Sequence, residues 1–151
     1  MRPKSPRLAV RAVIVDDGKL LLVNAWPDGK SELLCAPGGG AEPGSALPDN
    51  LSREVYEETG LRVTVGAPCL VNEFHDPKSG FHQVEIFFHC QLVGGSGIDP
   101  AWQDPERIVT ERHWVSAQDY DSVMVKPAGL KRVAFAGDAG VTYDPLEEIV
   151  W

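Results

Sequence analysis

Three glutamates lie close together near the middle of the chain, at Glu54, Glu57 and Glu58. On an α-helix, positions i, i+3 and i+4 project from one side within an arc of about 100°. Carboxylates at this spacing repel one another, and a divalent cation such as Mg²⁺ or Mn²⁺ would replace the repulsion with coordination by oxygen. The spacing therefore predicts a metal-binding helix face, and a solvated acidic face is the alternative interpretation.

The residues around the glutamates predict one helix over residues 47–59. Pro48 suits a first helical turn, and Gly60 supplies the left-handed residue that ends a helix. A largely apolar stripe recurs at every fourth position: Leu47, Leu51, Val55 and Thr59. Glu58 falls beside Leu51 on this helix, so the glutamates border its buried face.

Gly38, Gly39 and Gly40 precede the helix and predict a loop that a ligand can approach closely. A backbone carbonyl of this loop, with Gly38 as the candidate, could join the metal ligands. The loop is not a Walker loop, because Ser45 stands where that motif requires lysine. It also lacks the GxGxxG order of a dinucleotide fold.

Residues 39–61 resemble the Nudix box, Gly-x5-Glu-x7-Arg-Glu-U-x-Glu-Glu-x-Gly-U, in which U is a bulky aliphatic residue. The matching positions are Gly39, Arg53, Glu54, Val55, Glu57, Glu58, Gly60 and Leu61. One position departs from the pattern, because Ser45 stands in place of the first glutamate.

The resemblance implies a structural consequence for Ser45. In the family, the first glutamate is thought to support the loop and helix by pairing with the arginine, which is Arg53 here. Glu42, in the same loop, is the candidate substitute partner of Arg53. Ser45 is itself a candidate helix cap or loop hydrogen-bonding residue.

Fold and activity follow from the same resemblance. It implies an α/β (α+β) fold in which a mixed β-sheet is sandwiched between helices. It also implies metal-dependent hydrolysis of a nucleoside diphosphate linked to another group. Mg²⁺ or Mn²⁺ would be held by Glu54, Glu57 and Glu58 together with Gly38, and Arg53, Glu57 and Glu58 would act in catalysis.

The resemblance leaves two locations for the general base that accepts the proton of the attacking water. One is the box itself, at Glu57 or Glu58. The other is a later loop, for which the candidates are Glu85, Glu106 and Glu111. Glu85 lies inside the apolar run VEIFF, so it is expected either to be buried and paired or to face a site.

Substrate-binding residues cannot be assigned from the sequence. Trp26 and Trp102 lie in expected loops, where they either stack on a nucleobase or serve as packing. Phe74 and Phe81 flank an expected turn near the same cleft.

The remaining pattern predicts strands separated by turns. The expected strands are residues 8–15, 20–23, 31–36, 62–65, 69–74, 83–93 and 113–116, with a hairpin turn at 16–19 and polar turns at 75–80 and 94–100. A second helix is expected over residues 127–136, closed by residues 137–140. Residues 141–151 match no element. Strands and helices in this order indicate a mixed sheet between helices.

Composition limits the class of protein. The 151 residues are expected to form one domain, with residues 1–7 as a frayed end. No apolar run reaches the roughly 20 residues of a membrane span, so a cytoplasmic protein is expected. The three cysteines, Cys35, Cys69 and Cys90, suit reduced core thiols.

The net charge of −8 argues against nucleic acid as a partner. A small phosphorylated substrate remains compatible with it, because divalent cations can bridge two anions. Assembly as a homodimer is left open.

Two readings from other classes stay open. One is a Nudix-like module that binds nucleotides without turnover, which Ser45 favours and the intact Arg-Glu and Glu-Glu pairs oppose. The other is an acidic interaction domain with a Ca²⁺-binding helix, although no EF-hand series is present. A zinc site at His75, His82 and His89 is disfavoured, because His82 and His89 have an odd separation and point to opposite faces of one strand.

Overall fold

The structure is a computed structural model that describes residues 5–137 and 140–151. The strands are β1 (Arg7–Asp16), β2 (Lys19–Asn24), β3 (Leu34–Cys35), β4 (Gly38–Gly40), β5 (Val63–Asp76), β6 (Phe81–Leu92), β7 (Arg112–Ser116) and β8 (Thr142–Glu148). The helices are α1 (Leu47–Thr59) and α2 (Leu130–Phe135), and a 3₁₀ turn spans Tyr120–Ser122. No helix in these described ranges is long and apolar enough to cross a membrane.

The strands form one sheet in the order β3-β2-β1-β6-β5-β8, with β4 also paired to β1 and β7 to β2. The β1–β6 and β5–β8 pairs are parallel, whereas the other pairs of named strands are antiparallel. The sheet is therefore mixed. Strand β1 is central, because β6 lies along one side of it and β4 and then β2 along the other.

Two apolar clusters cover the two faces of the sheet. On one face, Leu51 and Val55 of α1 pack with Val10 and Ile14 of β1. On the other, the cluster includes Leu130 and Val133 of α2 with Val13, Leu70 and Phe87. This arrangement confirms the expected mixed sheet between helices.

Helix α1 has the predicted bounds. Pro48 lies in its first turn, and Gly60 ends it with φ 76° while its amide donates to the carbonyl of Tyr56 at 2.8 Å. Leu51, Val55 and Thr59 of the predicted stripe are buried, and Leu47 is partly buried. The expected strands at 8–15, 20–23, 83–93 and 113–116 correspond to β1, β2, β6 and β7.

The segment before α1 differs from the expectation. Only Leu34–Cys35 of the third expected strand is a strand, and the expected glycine loop is the strand β4. Strand β4 pairs with Ala9, Val10 and Arg11. A Cβ at Gly38 would overlap the carbonyl oxygen of Val10, so only glycine allows this approach.

The segment after α1 also needs correction. The expected strands at 62–65 and 69–74 are one strand, β5, with register shifts between Val65 and Pro68 and between Pro68 and Leu70. Because Pro68 has no amide hydrogen to donate to β6, the pairing of the two strands is interrupted at this point, but β5 continues beyond it.

The two chain ends differ from the expectation as well. The second helix is only Leu130–Phe135, and the unassigned segment contains β8, which runs parallel to β5. Of the expected helix closure at 137–140, residues 138 and 139 lie outside the described residues. Of the expected frayed end, residues 1–4 lie outside them too, whereas Arg7 already belongs to β1.

Replacing Gly38 with alanine tests the close approach of β4 to β1. We expect Gly38→Ala to lower the free energy of unfolding by at least about 2 kcal/mol, because its Cβ meets backbone that cannot rotate away. Gly97→Ala is the matched control, since a Cβ there meets nothing within 4 Å, and should stay within about 0.5 kcal/mol. Equal urea unfolding midpoints for the two variants would contradict the close approach.

Candidate active site

A cavity of about 560 Å³ opens between β4, the inward side of α1 and one end of the sheet. Its walls also include the loop before β7 and the residues that follow β8. Most of the buried polar residues of the described chain line this cavity or hold its loops, including Asn24, Glu54, Glu58, Asn72, Gln83, Glu85 and Asp104. A concentration of buried polar groups around one cavity is typical of a functional site.

Glu58 lies in the α1 wall of the cavity and is only 7% exposed. Its Oε1 accepts a hydrogen bond of 3.2 Å from the amide of Gly38. Burial raises the pKa of Glu58 to about 8, although Arg11 and the Gly38 amide act in the opposite direction. The carboxylate is therefore held against β4 by a backbone donor.

Glu54 occupies the space that a side chain at position 39 would need. A Cβ on Gly39 would lie 2.7 Å from the Glu54 carboxylate. Burial raises the pKa of Glu54 above its ordinary value, and Arg53 opposes that shift. Glycine at position 39 thus lets the helix bring a carboxylate against the strand.

Glu54, Glu57 and Glu106 form a cluster in which one carboxylate oxygen from each lies within 4.8 Å of the others. Three carboxylates this close repel unless a cation lies between them, and their oxygens are the ligands that Mg²⁺ and Mn²⁺ prefer. The residues present therefore fit a hard divalent cation. The sequence predicted that Glu58 would join Glu54 and Glu57, whereas the structure turns Glu58 inward to Gly38 and brings Glu106 to the cluster.

The loop that carries Glu106 is fixed by two buried residues that sequence reasoning missed. The Asp104 carboxylate accepts hydrogen bonds from the amides of Glu106 (3.0 Å), Ile108 (3.2 Å) and Val109 (2.9 Å). Asn24 of β2 holds the same loop, because its Nδ2 donates to the carbonyl of Ile108 at 2.8 Å. A single aspartate in a polar loop and a single asparagine at the end of an apolar strand belong to no motif that would signal this role.

The other two candidate bases have different surroundings. Glu85 is buried, and its Oε2 accepts from Arg11 Nε at 2.6 Å and from Gln83 Nε2 at 3.0 Å. It lines the cavity as one member of an ion pair. Glu111 is exposed, lies outside this cavity and is paired with His113 at 3.4 Å.

Two arginines of β1 were also missed by the sequence reasoning. Arg11 pairs with Glu85 and donates to the carbonyl of Ala36 at 3.2 Å. Burial alone would lower the pKa of Arg11, but Glu85 raises that pKa above its ordinary value. Arg7 lies against Gly40 and donates to Gln83 Oε1 at 2.8 Å. A charged residue inside the apolar run of β1 was the available signal for Arg11, as it was for Glu85.

Arg53 pairs with three acidic residues, although Ser45 stands where the Nudix box has its first glutamate. It pairs with Glu57 at 3.1 Å, with Glu54 at 3.4 Å and with Glu42 at 3.5 Å. The expected substitution of Glu42 as a partner of Arg53 is confirmed. Glu42 is well exposed, so this pair contributes at most about 1 kcal/mol.

Of the two candidate roles of Ser45, helix cap and loop hydrogen-bonding residue, the cap role is wrong. Within the loop, the Ser45 amide donates to the carbonyl of Glu42 at 3.4 Å. The N-cap residue of α1 is Ala46, which makes no side-chain cap hydrogen bond, and Ser45 is exposed. Asn50 ties the loop to the helix instead: its Nδ2 donates to the carbonyls of Ser45 (3.1 Å) and Ala46 (2.9 Å), while its Oδ1 accepts from the Glu42 amide (3.0 Å).

The two loop tryptophans have different roles. Trp102 packs at the end of α1, where its Nε1 donates to the carbonyl of Glu57 at 2.9 Å and its ring fills the space beside Gly60. Trp26 lines the cavity and stacks on Trp151 with ring centroids 4.6 Å apart. The packing interpretation holds for Trp102. Trp26 also packs within the protein, since its Nε1 donates to the carbonyl of Val150 at 3.1 Å, although it lines the cavity.

The fold and this carboxylate-lined cavity are accompanied by a family match. The chain belongs to the NUDIX domain family, whose model matches residues 5–134. An ADP-ribose pyrophosphatase of Methanocaldococcus jannaschii is 31% identical over 90 residues, which cover 60% of this chain and 53% of that protein. A MutT-like protein of Streptomyces ambofaciens is 34% identical over 94 residues, which cover 62% of this chain and 56% of that protein.

Solved structures agree on the fold. A NUDIX hydrolase from Nitrosomonas europaea is 28% identical, has a TM-score of 0.69 and covers 85% of this chain and 85% of its own. The chain spans about half the length of the curated relatives it matches.

Replacing Asn50 tests the clamp between loop and helix. We expect Asn50→Ala to lower the free energy of unfolding by about 1–3 kcal/mol, because a buried side chain that makes three backbone hydrogen bonds is lost. Ser45→Glu is the comparison and should be tolerated within about 0.5 kcal/mol, since Ser45 is exposed. A larger loss from Ser45→Glu than from Asn50→Ala in urea unfolding would show that the clamp is assigned to the wrong residue.

Replacing Arg11 tests the buried ion pair. We expect Arg11→Met to lower the free energy of unfolding by about 3 kcal/mol, because it leaves Glu85 buried without its cation. Adding Glu85→Gln to Arg11→Met should recover part of that loss, since a neutral amide costs less to bury. Strictly additive losses in a double-mutant cycle would exclude coupling between the two residues.

Proposed function

We propose that this chain is a pyrophosphohydrolase that cleaves the diphosphate linkage of a nucleotide derivative. The observation that carries the proposal is the cluster of Glu54, Glu57 and Glu106 beside a cavity large enough for a nucleotide. The names of two similar proteins, an ADP-ribose pyrophosphatase and a MutT-like protein, support the same reaction class.

A divalent cation, Mg²⁺ or Mn²⁺, is part of the proposal. When bound, it neutralises diphosphate charge and activates water for attack at phosphorus. Glu54 and Glu57 hold it, and Arg53 fixes the carboxylate of Glu57 by pairing with it at 3.1 Å. Gly38 and Glu58 contribute by joining β4 to the helix, which keeps the α1 carboxylates at the cavity.

Of the three candidate bases that lie outside the Nudix box, Glu106 is the one we prefer. It lies within 4.8 Å of Glu54 and Glu57, whereas Glu85 is committed to Arg11 and Glu111 lies outside the cavity. Its two available roles are cation ligand and proton acceptor. A ligand role predicts that Glu106→Gln weakens Mn²⁺ binding, and a proton-acceptor role predicts a lower kcat with unchanged Mn²⁺ affinity.

The remaining cavity residues suit two other parts of the substrate, a phosphate group and a nucleobase. Arg7 brings a positive charge to the cavity wall beside Gly40, which favours a phosphate group. Trp26, Phe74 and Phe81 line another part of the cavity, where aromatic rings can stack on a base. A nucleotide derivative therefore matches both parts of the cavity.

The reaction is tested with a substrate panel. Nucleoside triphosphates, ADP-ribose, nucleotide sugars and dinucleoside polyphosphates are incubated with Mg²⁺, with Mn²⁺ or with chelator, and a phosphatase is coupled where the product is not free phosphate. We expect hydrolysis of one class that chelator abolishes. Absence of hydrolysis across the panel, with nucleotide binding retained, would favour a binding module instead.

Glutamine variants test the carboxylates on the substrate so identified. We expect Glu57→Gln to lower kcat by about 100-fold or more, which corresponds to at least about 2.7 kcal/mol, because a cation ligand is lost. The fold should be retained, since Glu57 is only partly buried. Glu32→Gln is the charge-matched control at an exposed position outside the cavity, and a comparable loss of activity there would contradict a specific role for Glu57.

A further inference from the structure

One polar group in the cavity wall has no hydrogen-bond partner within the protein. Among the described residues, two buried side-chain polar atoms lack a partner, Asn72 Oδ1 and the hydroxyl of Tyr120. Tyr120 belongs to the apolar cluster against α2, whereas Asn72 lines the cavity and is only 3% exposed. An unpaired buried acceptor costs free energy that a hydrogen-bond donor on a ligand would recover.

Asn72 lies on the sheet face that forms the cavity floor. In the β5–β6 register it is opposite Glu85, and Phe74, the next residue on the same face of β5, is opposite Gln83. Gln83, Glu85 and Phe74 all line the cavity. Two residues back along the strands, Leu70 and Phe87 enter the apolar cluster instead, so Asn72 lies where the core gives way to the cavity.

The polar neighbours of Asn72 are already engaged with one another. Arg7 donates to Gln83, Gln83 donates to Glu85, and Arg11 pairs with Glu85. This chain of contacts fixes the orientation of the Gln83 amide and the Glu85 carboxylate. Asn72 is left as the floor residue whose side-chain oxygen is not part of the chain.

The surroundings indicate what kind of ligand group would face Asn72. Phe74 and Phe81 line the same cavity with ring centroids 6.1 Å apart, and Glu147 and Glu148 at the end of β8 add carboxylates. Aromatic rings suit a planar base, and a wall rich in acceptors suits donor groups. These residues come from β5, β6 and β8, not from the box on α1.

We propose that Asn72 is a specificity-determining residue whose side-chain oxygen accepts a hydrogen bond from an N–H or O–H group on the nucleoside part of the substrate. This inference rests on the proposed function and adds the residue that selects the substrate. The donor is either an amino group of the base or a hydroxyl of the ribose. A site built to accept a hydrogen bond discriminates strongly against a ligand without the donor, because its own acceptor is then left unpaired.

Binding of nucleoside monophosphates, measured by calorimetry, tests the inference without requiring turnover. The probes form pairs that differ by one donor: AMP and purine riboside 5′-monophosphate, GMP and inosine 5′-monophosphate, and each ribonucleotide with its 2′-deoxy form. In the wild-type protein we expect one pair to differ in Kd by about 10-fold or more. Discrimination within the base pairs assigns the donor to an amino group, and discrimination within the sugar pairs assigns it to a ribose hydroxyl.

Two variants of Asn72 identify the acceptor. In Asn72→Leu, which has a similar shape and no acceptor, the donor-bearing probe should bind about 10-fold more weakly and as weakly as its donor-free partner. Asn72→Asp retains acceptor oxygens and should restore the preference for the donor-bearing probe. The matched control is Phe74→Leu, which alters the same wall without removing an acceptor and should weaken both members of a pair equally.

The outcomes separate this inference from the proposed function. A wild-type preference that survives in Asn72→Leu, or no wild-type preference within any pair, overturns the role of Asn72. Loss of the preference in Asn72→Leu with the thermal unfolding midpoint unchanged or raised supports it, since the variant removes an unpaired buried polar atom. Donor-dependent binding through Asn72 in a protein that hydrolyses nothing on the substrate panel would overturn the proposed function and leave this inference standing.

Discussion

The close approach of a glycine strand to a helix is the constraint on which the rest of the site depends. The Gly38 amide binds Glu58, and the carboxylate of Glu54 fills the space beside Gly39. Strand β4 is fixed because it pairs with the central strand β1, and α1 is fixed because its apolar stripe packs on the same strand. Two buried carboxylates are thus positioned by backbone and core packing, before any ligand contributes.

The sequence predicted those parts of the fold whose signals are local. Helix α1 has its predicted bounds because Pro48 and Gly60 act on their own neighbourhood. Strand β4 was missed because three glycines carry no strand preference, and their pairing is decided by a partner almost thirty residues earlier in the chain. Strand β8 was missed for a related reason, since Pro145 lies inside it and its partner β5 is far away in sequence.

The same distinction holds within the site. Helical spacing brought Glu54 and Glu57 together, but it could not tell that Glu58 accepts a hydrogen bond from the Gly38 amide or that Glu106 lies beside Glu54 and Glu57. Glu106 was one of three candidate bases outside the box, and sequence reasoning favoured Glu85 over it. The Asp104 carboxylate that holds the Glu106 loop belongs to no sequence motif. Arg11 and Glu85 each look anomalous inside an apolar strand. Only the pairing of β1 with β6, 74 residues apart, explains both anomalies at once.

The two register shifts in β5 have a consequence for how substrate preference can change. Continuing the pairing of Val65 with Cys90 without a shift would place Asn72 opposite Gln83, whereas the shifts place it opposite Glu85, about 7 Å further along the sheet. Residues 66–68, where these shifts occur, are exposed, so an insertion or deletion there would cost little stability. Removing a single residue would turn the opposite face of β5 toward the cavity. This short segment is therefore a spacer through which a protein of this family can acquire a new cavity floor while α1 stays the same.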